Sequence, residues 1–318
     1  MKTQINLTTS RCDLDRFASR EVLTDLLEED GIELTCFEED ARNIVPVERV
    51  TGLHLSCLPY WLDFWREDHA ACLREFDDAE TVRAVFGGDT PDALLAHYRK
   101  DLEHARRYGA AYTVFHVSDG SVEETFTGRA RHTDAEVIDA ATDLLNELFK
   151  DVTDGPWLLL ENLWYAGHRF TDPEMTARLL ERVRYPKTGL MLDTGHLLHT
   201  NPALCTQEEG VRYIHEMLDR HGELCKRIRG VHLNQSLTGE RMTATQANPP
   251  RLPETYRERS EMLFYYVFSI DRHEPFTCPG VKELIDRIAP DYLTFELISP
   301  NLEEHRRLLK EQRAVFGR

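Results

Sequence analysis

Trp157-Leu158-Leu159-Leu160-Glu161, followed by Asn162, is the stretch on which the fold is read. Its apolar run has the length of one strand and is as continuous as a strand buried on both faces requires. It ends on a carboxylate. The same figure recurs outward in both directions. Thr113-Val114-Phe115 leads to His116, Leu190-Met191-Leu192 to Asp193, Gly230-Val231 to His232, and Leu293-Thr294-Phe295 to Glu296. Strands are read at residues 4–8, 32–37, 52–56, 111–116, 157–161, 190–193, 230–233 and 292–296. Between them lie helical patterns at 13–29, 90–109, 134–150, 172–183, 207–226 and 281–288, with a closing helix at 302–315. Thr90 suits the helix cap, Pro91 the first turn, and Gly109 the end.

Eight strands alternating with helices imply an α/β chain whose parallel sheet closes into a (β/α)8 TIM barrel. Residues 1–318 are read as one such domain, since a barrel takes about 250 residues or more. An open doubly wound sheet would prefer a Gly-rich turn after the first strand, and Thr8-Thr9-Ser10-Arg11 does not supply one. Two segments break the rhythm, at about 58–88 and 236–264. The second holds Asn248-Pro249-Pro250 and Pro253 and reads as an irregular insertion. Both follow strands, on the face where barrels carry their sites. The aromatic set Tyr60, Trp61, Phe64 and Trp65 could line a pocket, but packing is the favoured reading.

The charge balance is acidic: 38 Lys+Arg against 56 Asp+Glu leaves −18. Such a surface repels phosphate backbones, so duplex nucleic acid is not the default partner. The seven cysteines are dispersed without a C-x-x-C pair, which suggests reduced thiols and a cytoplasmic location. No apolar run approaches the ~20 residues that span a bilayer.

Nine residues sit at or near strand ends: His54, His116, Glu161, Asp193 with His196, His232, Asp271 with His273, and Glu296. A barrel would bring these ends into a ring around one mouth. Carboxylates facing one another there repel, and divalent cations relieve that repulsion. Mixed His and carboxylate donors suit zinc, with manganese or iron also possible. Each residue also has a plainer reading. His54 could be structural, Glu161 a hydrogen-bonded buried acid, 193–196 a helix cap and 271–273 a polar loop. Their joint register at strand ends favours a metal centre. The other nine histidines, among them His97, His104, His215 and His305, lack that register and are read as surface residues.

These blocks, Phe115-His116, Glu161-Asn162, Asp193-Thr194-x-His196, His232-Leu233-Asn234, Asp271-Arg272-His273 and Glu296, resemble the endonuclease IV branch (AP endonuclease family 2) of the xylose isomerase-like TIM barrels. The resemblance runs through most of the barrel, and Asp-Arg-His is its most specific block. It implies an enzyme with up to three metal ions, usually zinc. His54, His116 and Glu161 would hold one; Glu161, Asp193, His232 and Glu296 a second; His196, Asp271 and His273 the third. The implied reaction is metal-dependent hydrolysis of a phosphodiester, in which Glu161 could orient the attacking group. The substrate would be abasic-site DNA or a smaller phosphorylated molecule. The same superfamily contains single-metal sugar isomerases and epimerases. In that reading Glu161, Asp193, His232 and Glu296 hold the ion, Glu161 and Glu296 move a proton on opposite sides of the sugar, and His196 helps bind it. A metal-binding barrel without turnover is the third reading. Two departures from the family are visible: Cys57-Leu58 stands where the endonucleases carry Tyr-Leu, and the interval from His232 to Asp271 is longer.

Overall fold

A computed structural model describes residues 1–37, 41 and 43–317. Eight strands form a closed barrel: β1 (Lys2–Thr8), β2 (Gly31–Thr35), β3 (Val50–His54), β4 (Tyr112–His116), β5 (Trp157–Glu161), β6 (Thr188–Asp193), β7 (Ile228–Leu233) and β8 (Tyr292–Phe295). All neighbours pair in parallel, and β8 closes the ring against β1 with Phe295 opposite Ile5. The register sets His116 beside Glu161 and Asp193 beside His232.

The period of two along each strand decides what faces inward. Leu158 and Leu160 point outward and join the main core between barrel and helices. Leu159 joins Tyr112, Val114 and Met191 in a separate cluster that fills the barrel interior. One inward step further along, these strands present His116, Glu161 and Asp193. Close-packed apolar residues below thus carry a layer of ligand-type side chains at the mouth.

The outer helices follow the sequence pattern, including Pro91–Tyr108, Asp134–Leu148 and Val281–Ile288. Gly109 ends the first of these at φ 68°, a left-handed conformation that favours glycine. The helix expected over 13–29 is two short ones, Arg11–Leu14 and Arg20–Leu26, because Ser19 is extended and restarts the turn. The helix expected over 207–226 stops at His221 and gives way to the 3-10 turn Gly222–Arg227.

The larger correction concerns the insertions. Residues 58–88 form Leu62–Trp65, His69–Phe76 and Ala79–Phe86. Tyr60, Trp61 and Phe64 are buried there, and Phe64 stacks on Phe86 at 3.8 Å, so this set packs. Residues 236–264, expected to be irregular, belong to two helices, Gly239–Ala247 and Tyr256–Ile270. The prolines are confined to the link between them, where no helical N–H is lost. The Thr255 hydroxyl then caps the second helix by accepting from the Glu258 N–H. Among the described residues no helix is long and apolar enough to cross a membrane.

Candidate metal centre

All nine candidate residues converge on the barrel mouth in three groups, but not all from strand ends: His196 lies in the short helix Thr194–His199, and Asp271 and His273 follow the helix Tyr256–Ile270. Each group contributes one donor atom per residue, all within 4.8 Å of one another: His54, His116 and Glu161; Glu161, Asp193, His232 and Glu296; His196, Asp271 and His273. Glu161 is fully buried and shared. Its Oε2 lies 3.0 Å from His54 Nε2 and 3.1 Å from His116 Nε2. Its Oε1 lies 3.1 Å from His232 Nδ1 and 3.3 Å from His196 Nδ1.

The outer nitrogens of the histidines show which way each ring is set. His54 Nδ1 donates to the Leu55 carbonyl at 2.7 Å, His196 Nδ1 to the Asn162 carbonyl at 3.0 Å, and His273 Nδ1 to the Glu296 carbonyl at 3.1 Å. A carbonyl only accepts, so these Nδ1 atoms carry the proton and Nε2 carries the lone pair of the neutral ring. His54 Nε2 then meets His116 Nε2 at 3.1 Å beside Glu161. His196 and His273 aim Nε2 at Asp271 Oδ2, at 3.4 and 3.0 Å. Lone pairs and carboxylates gathered this way need protons or cations between them.

His232 is set in the opposite sense. Its Nε2 donates to Glu33 Oε1 at 2.8 Å, leaving Nδ1 toward Glu161 and toward Glu296 Oε2 at 3.3 Å. Glu33 is itself held by the Tyr112 hydroxyl and by the Thr294 hydroxyl at 3.0 Å. A carboxylate behind an inward-facing imidazole is the usual support of a metal-binding histidine. Sequence reading missed Glu33, although an acid between Ile32 and Leu34 in a strand is a visible parity signal.

Asp193 is held on three sides. Its backbone N–H donates to Asn162 Oδ1 at 2.9 Å, Asn234 Nδ2 donates to its Oδ2 at 2.8 Å, and its Oδ1 accepts from the His196 N–H at 2.6 Å. Gly195 makes this possible, since a Cβ there would collide with the Asn234 amide oxygen. His273 adopts φ 46°, unusual outside glycine, and the Ser236 hydroxyl accepts from its N–H and from that of Arg272. That turn is what lets Asp271 and His273 face the same point.

The electrostatics record the crowding. Burial disfavours charge on His273, yet Asp271 and Glu296 outweigh it and lift its pKa to about 9. His196 and His232 are likewise raised by facing carboxylates against the effect of burial. Burial lifts Glu296 to about 8, with Asp193 and Glu161 opposing its ionisation further. Burial also works against ionised Asp271, but His273 and His196 hold it well below the usual carboxylate range.

The histidines outside this set are not uniformly on the surface. His168, His199, His221 and His305 are buried. His221 stacks on Phe170 at 3.9 Å, and its Nε2 lies 3.0 Å from the Thr176 hydroxyl, so helix packing takes it in. His199 is next to the centre: its Nδ1 lies 3.8 Å from Asp271 Oδ1 and its ring packs against Trp164 at 4.6 Å.

A family model described as xylose isomerase-like TIM barrel matches residues 84–315. Solved structures with the same fold include a D-tagatose 3-epimerase-like protein (13% identity, TM-score 0.54, covering 100% of this chain and 97% of that one). They also include endonuclease IV from Thermus thermophilus (19%, 0.51, 100% and 99%) and an IOLI protein with a binding zinc atom (12%, 0.52, 99% and 96%). No curated protein matches the chain by sequence.

Proposed function

Because the chain belongs to the xylose isomerase-like TIM barrels, we propose that it is a metal-dependent hydrolase of phosphoester bonds with a three-ion centre. One observation carries this reading. His54, His116, His196, Asp271 and His273 have no necessary ligand role around a single ion, yet all five stand at the mouth in two additional donor groups. The donor set fits, since mixed imidazole and carboxylate groups with outer nitrogens locked by hydrogen bonds suit zinc, or manganese or iron. Bound divalent ions would supply a nucleophile near neutral pH and offset charge on the attacking and leaving oxygens.

The protein's own residues do the rest. Glu161 presents one oxygen to each of two groups and is placed to orient an attacking water by accepting its hydrogen bond. Glu296, the most accessible of the four carboxylates, is placed to complete the second donor group on its more open side. The buried wall below excludes bulk water. A small phosphorylated molecule suits the −18 charge better than abasic-site DNA. A single-ion sugar isomerase or epimerase is the second reading. It is favoured by Glu161, Asp193, His232 and Glu296, which form a complete four-donor group by themselves.

Elemental analysis of the purified protein separates the two. Three zinc-like ions per chain are expected, and one manganese-like ion would replace the hydrolase reading by the isomerase one.

Metal affinity is expected to rise with pH. Glu296 at about 8 and His273 at about 9 hold protons that binding must displace. Affinity should therefore climb from pH 7 to about 9 as these groups give up their protons. Chelator competition across that range checks it, and a flat profile would contradict it.

Glu33→Gln keeps the shape but removes the charge behind His232. The second group is expected to bind its ion about 10–100-fold more weakly. Competition against a chelator of known affinity reads this directly, with the first and third groups as internal controls.

A further inference from the structure

Four of the five mouth histidines rest the outer nitrogen against an oxygen. Carbonyls hold His54, His196 and His273, and the Glu33 carboxylate holds His232. His116 is the exception: its Nδ1 meets the Cys57 sulfur at 3.3 Å. The fold brings the two together. β3 ends on His54, and the chain beyond it stays bound to its neighbours. The Leu55 N–H donates to the Val114 carbonyl on β4 at 3.0 Å, and the Gly120 N–H donates to the Pro59 carbonyl at 2.8 Å. Between them the Ser56 N–H donates to Asp101 Oδ2 at 2.9 Å, on the helix Pro91–Tyr108. Cys57 thus lies on a short bridge tied on both sides, and the barrel sets its place beside His116.

Carbonyls and carboxylates only accept, so they fix the proton on the outer nitrogen. A thiol is a weak donor and a weak acceptor, and fixes neither arrangement. Inward, His116 Nε2 lies 3.1 Å from His54 Nε2 and 3.1 Å from Glu161 Oε2, and those two atoms are 3.0 Å apart. With both rings neutral, His54 Nε2 is a bare lone pair, because its proton is on Nδ1 against the Leu55 carbonyl. Three acceptors would then face one another unless His116 carries its proton on Nε2. Of the two rings, only His116 can do so without breaking a hydrogen bond to oxygen.

We propose that Cys57 is a positioning residue that lets His116 carry its proton on either ring nitrogen, which makes the ion of the first group the exchangeable one of the three. Without an ion, His116 Nε2–H donates into the His54–Glu161 pair, and the Cys57 S–H donates to Nδ1. With an ion at Nε2, the proton sits on Nδ1 and the sulfur accepts from it. The ring neither gains nor loses a proton overall: one leaves Nε2, one arrives at Nδ1, and the thiol turns its hydrogen away. His196 and His273 have no such freedom, since carbonyls hold their outer protons. The proposal rests on the three-ion reading above. It gives a role to Cys57, a position where the chain departs from the endonuclease pattern.

Stepwise removal of zinc from the fully loaded protein by a chelator tests it, with His116→Ala marking the first ion by its absence. That ion is expected to leave first. Cys57 is exposed, so replacing it leaves the core intact. Cys57→Asp presents only acceptors, fixes the proton on Nδ1, and should tighten the first ion about tenfold or more. Cys57→Ser keeps a group that donates and accepts, and should release that ion as the wild type does. A side chain that merely filled space would not raise the affinity when replaced by a carboxylate of similar size. Nitrogen NMR of the ion-free protein gives a second readout, with His116 expected to carry its proton on Nε2 and His54 on Nδ1. An equal first-ion affinity in the wild type and Cys57→Asp, or a His116 proton on Nδ1 in the ion-free protein, would overturn the proposal. The two readings fail separately. One ion per chain, kept in His116→Ala, would sink the three-ion reading and the release order with it. Three ions of which the first is not the earliest to leave would sink this proposal alone.

Discussion

Asp271→Ala should leave a protein that holds two ions and has lost phosphoester hydrolysis by a factor on the order of a thousand. Asp271 Oδ2 stands between His196 Nε2 and His273 Nε2 and is the only carboxylate in the third group. Without it, two neutral imidazoles would have to hold a dication in a buried site, with no anion to offset its charge. The same variant separates the two functional readings. A single-ion isomerase depends on Glu161, Asp193, His232 and Glu296, none of which is changed, so its turnover would survive. Elemental analysis with assays on phosphoesters and on a panel of ketoses decides the matter. Three ions retained in the variant would refute the third group. Asp271→Asn, which keeps the shape of the side chain, guards against a result caused by misfolding.

Glu161→Gln should have the larger effect. Expected are loss of the ions of the first and second groups and hydrolysis reduced to background, about ten-thousandfold or more. One carboxylate here serves four histidines: Oε2 faces His54 and His116, Oε1 faces His232 and His196. An amide has one oxygen and a nitrogen that only donates, so it cannot accept toward both sides. The third group keeps Asp271, His196 and His273, and one ion should remain. If two or three ions remained, Glu161 would not be shared between groups.

Much of this arrangement is legible in the amino-acid order. The run 157–161 reads as a doubly buried strand, and seven similar runs alternate with helices, so closure into a barrel follows from element order. The strand ends that carry His54, His116, Glu161, Asp193, His232 and Glu296 are legible for the same reason, whereas Asp271 and His273 follow a helix that the reading missed. Where reading and structure differ, the causes are physical. The prolines at 249, 250 and 253 make the second insertion look irregular, although they occupy only the link between two helices. Buried histidines such as His199 and His221 read as surface residues, because a side chain on a helix beside polar neighbours looks the same whether or not another element covers it.

The strands, their order and the parity that turns Glu161, Asp193 and His232 inward are written in the chain itself. They are local properties of alternation and of apolar run length, and they need no partner. Which residues share a point in space is a matter of three dimensions. The grouping of the nine, the carboxylate of Glu33 behind His232, the positive φ that turns His273 toward Asp271, and the thiol of Cys57 behind His116 all depend on ring closure and on packing between segments far apart in the chain. A period of two fixes a face; the tilt and register of a closed sheet fix the neighbours across it.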